Sequence, residues 1–340
     1  MKKIKLLSLG LLLLSTVTFS QVVSAEEKAK DEGWDVPNIA LGNGLTEEEK
    51  VKTTEILTKD LDSVKVLKGI DTTKTNEYIV NGDDLVKYVT DVPEFTSSSK
   101  AYSSALIART SSGSGVTVEI MTPDNITSRT EAMYRSAAIT SGVYDAYIRI
   151  GSVRTMDGSG ALAGIYKIYD EVDPAASESD QQSRDEKREV AQDQMQVVAG
   201  IDEANQGNSD YSSENILVML ADIQLELQKI NDKLAAMSES EKQQEVQQIV
   251  VQQINNNGLQ EAISSEQQEE IVSNMMAFTN TDAMNDSEMT KQLSSFKDDI
   301  VKNGQEFKDN LLSDESINKA KTGFAKFWQS ISDFFTGLFK

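Results

Sequence analysis

Apolar and polar residues alternate differently in the two halves of this chain. Between residues 35 and 172, short runs rich in Val, Ile, Tyr and Thr are set off by Gly, Asp and Asn. Val64–Leu67, Glu77–Val80, Ser104–Arg109, Val116–Met121 and Tyr144–Ile150 read as strands. Ser104–Met121 reads as a hairpin that turns at Ser112-Gly113-Ser114-Gly115. Three helices interleave with these runs. Thr46-Glu47-Glu48-Glu49 spells a capping box with carboxylates in the first turn, which opens a helix through Leu57. Thr127–Thr140 is a second helix, stopped at Gly142, and Asp157–Tyr169 is a third. Helices mixed with strands predict a compact α+β domain over 35–172.

Beyond Asp173 the alternation of period two disappears. Residues 173–212 are Ser-, Gln-, Asp- and Glu-rich, and predict a polar linker or an exposed helix. Ile216, Leu220, Ile223, Leu227, Ile230, Leu234 and Met237 then recur at alternating steps of four and three, the seam of a coiled-coil-like helix. Such a seam serves a helical hairpin within one chain or a homodimer. Helices over Glu241–Ile254, Leu259–Phe278 and Ser287–Leu312 follow, the first stopped by Asn255-Asn256-Asn257-Gly258. The fold expected is therefore α+β, with a compact N-terminal α+β domain followed by an all-α C-terminal half at 213–312. A terminal amphipathic helix lies within 313–340. There Phe324, Phe327, Trp328, Ile331, Phe334, Phe335, Leu338 and Phe339 fall on one face. A face this apolar calls for burial against the protein's own helices, a partner or a membrane surface.

The amino terminus reads as a secretory leader over residues 1–25. Lys2, Lys3 and Lys5 precede an apolar stretch from Leu6 to Phe19, and Val23-Ser24-Ala25 has the small-x-small form of a cleavage site. Residues 26–34 then form a flexible mature start. The apolar stretch is short for a membrane anchor.

Composition limits the chemistry. The chain has 340 residues, 55 acidic against 33 basic, and a formal net charge of −22. That balance argues against nucleic acid as a partner, because phosphate binding relies on Lys and Arg. It points to a protein or cell-envelope partner, to contact with a membrane surface through the terminal helix, and leaves room for oligomers. There is no histidine and no cysteine. Histidine- and cysteine-based catalytic triads, zinc sites of those ligands, disulfides and lipid attachment through a cysteine are all excluded. No cofactor and no metal site is expected. Cysteine-free secretion behind a Lys-rich leader fits a secreted or wall-associated protein of a Gram-positive bacterium.

What remains is carboxylate, Ser-Lys or all-oxygen chemistry. Ser97-Ser98-Ser99-Lys100 and Lys321-Thr322-Gly323 spell two pieces of the penicillin-recognising signature, but the second precedes an amphipathic helix and not a strand. Paired carboxylates such as Asp83-Asp84, Asp170-Glu171 and Asp298-Asp299 are those of a solvated face. Asp157, Gly158, Ser159 and Gly160 form the one candidate ligand loop, where small residues open a helix after a strand. It reads either as an anion pocket or as close packing of that helix on the sheet, and packing is the stronger reading. No catalytic residue is assigned.

Several of these runs carry a resemblance. Ile126-Thr127, Thr130 and Met133-Tyr134, then Thr140-Ser141-Gly142-Val143-Tyr144-Asp145-Ala146, then Asp157 to Gly164, resemble the YpuA-like family of secreted Gram-positive proteins with a domain of unknown function. Ala40-Leu41-Gly42, Leu45-Thr46, Ser103-Ser104 and the closing aromatic helix add to it. The family pattern has Ser-Gly-Thr-Ala-Ala-Leu-Thr-Gly where this chain has Asp157 to Gly164. The resemblance implies an extracellular, envelope-associated role and supplies no catalytic residues. The expected function is a noncatalytic envelope-associated binding or assembly protein, and the alternative is a carboxylate-based enzyme acting on wall glycan or peptide.

Overall fold

The computed structural model describes residues 33–208 and 211–312, with side chains through residue 302. The expected leader, the first residues of the mature start and the terminal amphipathic helix lie outside the described residues.

Strands β1 (Asn38–Gly42), β2 (Asn76–Val80), β3 (Ser104–Arg109), β4 (Thr117–Ile120) and β5 (Ala146–Gly151) make one mixed sheet in the order β2-β1-β3-β5-β4. β1 runs parallel to β2 and antiparallel to β3, and β5 runs antiparallel to β3 and parallel to β4. The central strands β1 and β5 are buried along their whole length, as strands covered on both faces must be. On one face, Ile39, Leu41, Leu106, Ala108 and Tyr147 pack with Leu57 of helix α1 (Glu47–Thr58) and with Leu61 and Leu67. Ala40, Ala105, Ile107, Ile148 and Ile150 point to the other face. There they meet α3 (Glu131–Thr140) and α4 (Ser159–Val172), with the short α2 (Gly82–Tyr88) beside them.

The capping box of α1 forms as read: Thr46 Oγ1 accepts from Glu49 N–H, and Glu49 accepts from Thr46 N–H at 2.9 Å. Three other readings are corrected. Ser104–Met121 is not a hairpin, because β5 lies between β3 and β4. The loop between them is anchored on β5 and not on itself: Asp145 accepts from Thr110 N–H through its carbonyl and from Gly115 N–H through its carboxylate. The fully buried β5 takes a neighbour on each side. Val64–Leu67 is not a strand; Lys65–Leu67 is a turn of 3-10 helix that buries Leu67 and leaves Val66 outside. The segment read as a polar linker or an exposed helix is mostly a helix, α5 (Glu178–Ala204), and what is corrected is its exposure. Its second half buries Val190, Ala191, Met195, Val198 and Ile201, a stripe masked by the polar residues around it. β1 and α2 were not read from the pattern at all.

The all-helical half continues with α6 (Ser213–Lys229), α7 (Asn231–Ala235), α8 (Glu239–Asn256), α9 (Ser265–Thr279) and α10 (Ser287–Leu312). Of the seam, Ile216, Leu220, Ile223, Leu227 and Leu234 are buried, and Ile230 and Met237 pack at the margin of the same cluster. α6 also buries Leu217, Val218, Met219, Ala221 and Leu225. A helix apolar on all sides is a core helix, which explains why its seam is covered by this chain's own α3, α8 and α10. The larger hydrophobic cluster runs without interruption from Ala40 of the sheet to Phe296 of α10. Among the described residues, no helix is long and apolar enough to cross a membrane.

Candidate functional site

The Asp157–Gly160 loop is filled from within. Gly158 caps α4 at φ +97°, a conformation that glycine adopts without strain. Asp157 Oδ1 accepts from Ser159 N–H at 3.0 Å, Ser103 Oγ accepts from Ala161 N–H at 3.0 Å, and Gly158 O accepts from the Tyr134 hydroxyl at 2.9 Å. A Cβ on Gly160 would lie 2.6 Å from Ser103 O. These contacts are those of a helix docked tightly on β3, the packing reading of this loop.

The paired carboxylates serve as braces. Asp84 caps α2 and holds Lys167 at 2.9 Å. Asp170 accepts from the Tyr88 hydroxyl at 2.7 Å and from buried Arg188, which ties α5 to α2 and α4. Asp299 pairs with Arg135 at 2.7 Å. Among the described residues, no group of three or more carboxylates is arranged to hold a metal ion.

A concave site forms instead at one end of the sheet. Trp34 precedes β1 and Arg109 ends β3. Together they line two adjoining hollows of about 190 and 270 Å³. Tyr144, Asp145, Tyr169 and Glu288 wall the smaller one, while Lys68 and Ile70 wall the larger. The Arg109 guanidinium sits 5.7 Å from the centre of the Trp34 ring, and Trp34 leans on Tyr169 at 6.4 Å. Arg184 covers Tyr169 at 5.1 Å. Asp173 lies 3.6 Å from Arg184 and 3.9 Å from Arg109, so its charge is shared between them.

The walls are fixed by hydrogen bonds of their own. The Tyr144 hydroxyl donates to Asp286 at 2.7 Å, and burial followed by this carboxylate holds its proton far above the usual phenol range. The Tyr169 hydroxyl donates to Gly142 O at 3.3 Å, and burial raises its pKa as well. Asp145 stands at φ +51° and accepts from Gly115 N–H at 2.9 Å. Two further donors differ in access. Trp34 Nε1–H is buried and meets no acceptor among the described residues. Arg109 is half-exposed, and its contacts there are the Trp34 ring and the loose approach to Asp173. The Arg109 guanidinium over a concave aromatic wall can hold an acceptor group of a small ligand.

Neither Trp34 nor Arg109 was singled out from the sequence as a site. They are far apart in the chain, and the one available signal is that Trp34 is one of two tryptophans. The expected membrane or partner face, Phe324 to Phe339, lies outside the described residues.

Residues 41–296 match the family described as protein of unknown function DUF1002. The chain is also 25% identical over 301 residues to "Uncharacterized protein YpuA" of Bacillus subtilis (strain 168), covering 88% of this chain and 86% of that protein. No solved structure matches significantly. The match to the family model extends from β1 to α10 and takes in both the sheet and the helical half, so the chain belongs to this DUF1002, YpuA-like family.

Proposed function

We propose that this protein is an exported, envelope-associated binding or assembly protein, and that the Trp34–Arg109 cleft is its recognition site. The observation that carries the reading is the cleft itself: a concave aromatic wall of Trp34, Tyr144 and Tyr169, held by hydrogen bonds and edged by the half-exposed Arg109. Export rests on the leader-like residues 1–25. Retention at the envelope rests on the apolar face from Phe324 to Phe339, which suits a partner protein or a membrane surface. The Gram-positive organism of the relative agrees with this setting.

Incubating the mature chain with isolated Gram-positive walls and sedimenting them tests the reading. The wild-type protein is expected in the pellet, and the double variant W34F/R109Q in the supernatant, with no soluble wall fragment detected by mass. Defined fragments released by the wild type, or equal retention of both proteins, would refute the cleft as a noncatalytic recognition site. Recovery of the full-length chain in the cytosol with residues 1–25 still attached would refute export.

A further inference from the structure

We infer that the cleft takes a neutral saccharide, one ring of which enters the smaller hollow between Arg109 and Asp145; this rests on the cleft being a recognition site. The hollow offers hydrogen bonding of both signs. Asp145 lines it and is 9% exposed. Its Oδ1 accepts from Gly115 N–H, while its Oδ2 takes no hydrogen bond among the described residues and keeps contact with solvent. Arg109 has no hydrogen bond among the described residues, and Asp173 stands off from it at 3.9 Å. The part-exposed Glu288 adds a second carboxylate to the wall. Donor and acceptor are neighbours. Arg109 ends β3 opposite Ala146, and Thr110 N–H bonds to Asp145 O at 2.7 Å, so the two side chains rise from strand ends about 5 Å apart.

Charge and size narrow the class. Asp145 and Glu288 oppose an anion in the hollow, and Arg109 opposes a cation. A neutral ligand rich in hydroxyls suits both, because each hydroxyl donates and accepts. Hydroxyls on neighbouring ring carbons can serve the guanidinium and the carboxylate together, through a charge-assisted bond on each side. A peptide amide carries its N–H and C=O on opposite sides of the chain and meets such an adjacent pair with one of them at a time. Trp34, Tyr144 and Tyr169 are each partly exposed and give the apolar face of a sugar ring its wall. At about 190 Å³ the hollow is below the usual range of ligand pockets and takes one ring. The adjoining hollow of about 270 Å³ gives the chain of a longer saccharide a way out.

The mature chain with W328F keeps a single indole, that of Trp34. Its indole resonance is followed by heteronuclear NMR during titration with four probes. Two are neutral trisaccharides, of glucose and of N-acetylglucosamine; the third is trigalacturonate, and the fourth is N-acetyl-alanyl-alanine amide. A saturable shift with at least one neutral trisaccharide is expected, with weaker binding of trigalacturonate and no response to the dipeptide amide. D145N and R109Q, each checked for fold by circular dichroism, are expected to weaken binding at least tenfold. Asparagine tolerates the positive φ of position 145, so D145N removes the charge and keeps the backbone. No shift with either neutral trisaccharide, tighter binding of trigalacturonate, an equal response to the dipeptide amide, or undiminished binding by both variants would overturn the saccharide assignment. Wall retention that still depends on Trp34 and Arg109 would in that case leave the recognition site standing with another ligand class.

Discussion

Glu49 joins two jobs in one carboxylate. It closes the capping box of α1 and receives Arg154 through Nε at 2.7 Å and Nη2 at 2.8 Å, a bidentate pair that ties α1 to the loop after β5. The hydrogen bond from Arg154, followed by that from the Thr46 backbone, holds its pKa down from 4.5 to about 2. A carboxyl whose folded pKa is lowered contributes stability above its unfolded pKa and loses it as pH falls through the folded one. The melting-temperature gap between wild type and E49Q is therefore expected to be steady above about pH 5 and to close between pH 4.5 and about 2. Asp202 works in the opposite sense, since burial raises its pKa, but it is common to both proteins and cancels in the difference. A gap that persists unchanged at pH 2 would assign the effect to something other than the ionised Glu49.

At the scale of elements, two glycines separate packing from propensity. Gly160 sits in the first turn of α4, against β3, and an added Cβ would press on Ser103 O at 2.6 Å and Ser103 Oγ at 3.0 Å. The same serine hydroxyl accepts from Ala161 N–H, so the clash also disturbs the helix end. Gly200 lies on the exposed side of α5, and nothing comes within 4 Å of an added Cβ. G160A is expected to destabilise by about 1–3 kcal/mol, the usual cost of overpacking. G200A is expected to stabilise by about 0.5–1 kcal/mol, because alanine loses less conformational freedom in a helix. Urea midpoints of the two variants, moving in opposite directions, check both. A stabilised G160A would mean that α4 does not rest on β3 through this residue.

At the scale of the whole molecule, the sheet and the helical half share one interior. The cluster that contains Ala40 and Ile148 also contains Met195, Leu220 and Phe296. Polar ties cross the same boundary: Arg135 of α3 pairs with Asp299 and covers Phe296, Tyr144 holds Asp286, and Arg188 reaches Asp170. Residues 35–172 expressed alone would expose the face of α3 that packs on α5, α6 and α10. That fragment is expected to lack the dispersed amide spectrum of a folded sheet. The full chain is expected to unfold in one transition, with tryptophan fluorescence and far-ultraviolet circular dichroism coincident. A well-dispersed spectrum from the fragment would establish the two halves as separable domains.

How much of this was legible in advance follows from the range over which each feature is specified. The Thr46 capping box and the strand at residues 104–109 are written in residues a few positions apart, where side-chain period and end-capping act, and they read correctly from sequence alone. The absence of histidine and cysteine likewise needed no structure to rule out whole classes of chemistry. The neighbours of β5, the buried stripe of α5 and the internal covering of α6 depend on which apolar faces meet, and a hydrophobic period specifies a face without naming its partner. The Asp157–Gly160 loop allowed two readings until Ser103 and Tyr134 came to lie against it. The cleft is the extreme case. Trp34 and Arg109 are adjacent because β1 and β3 pair in the sheet, and residues brought together by strand pairing leave no local spacing by which to find them.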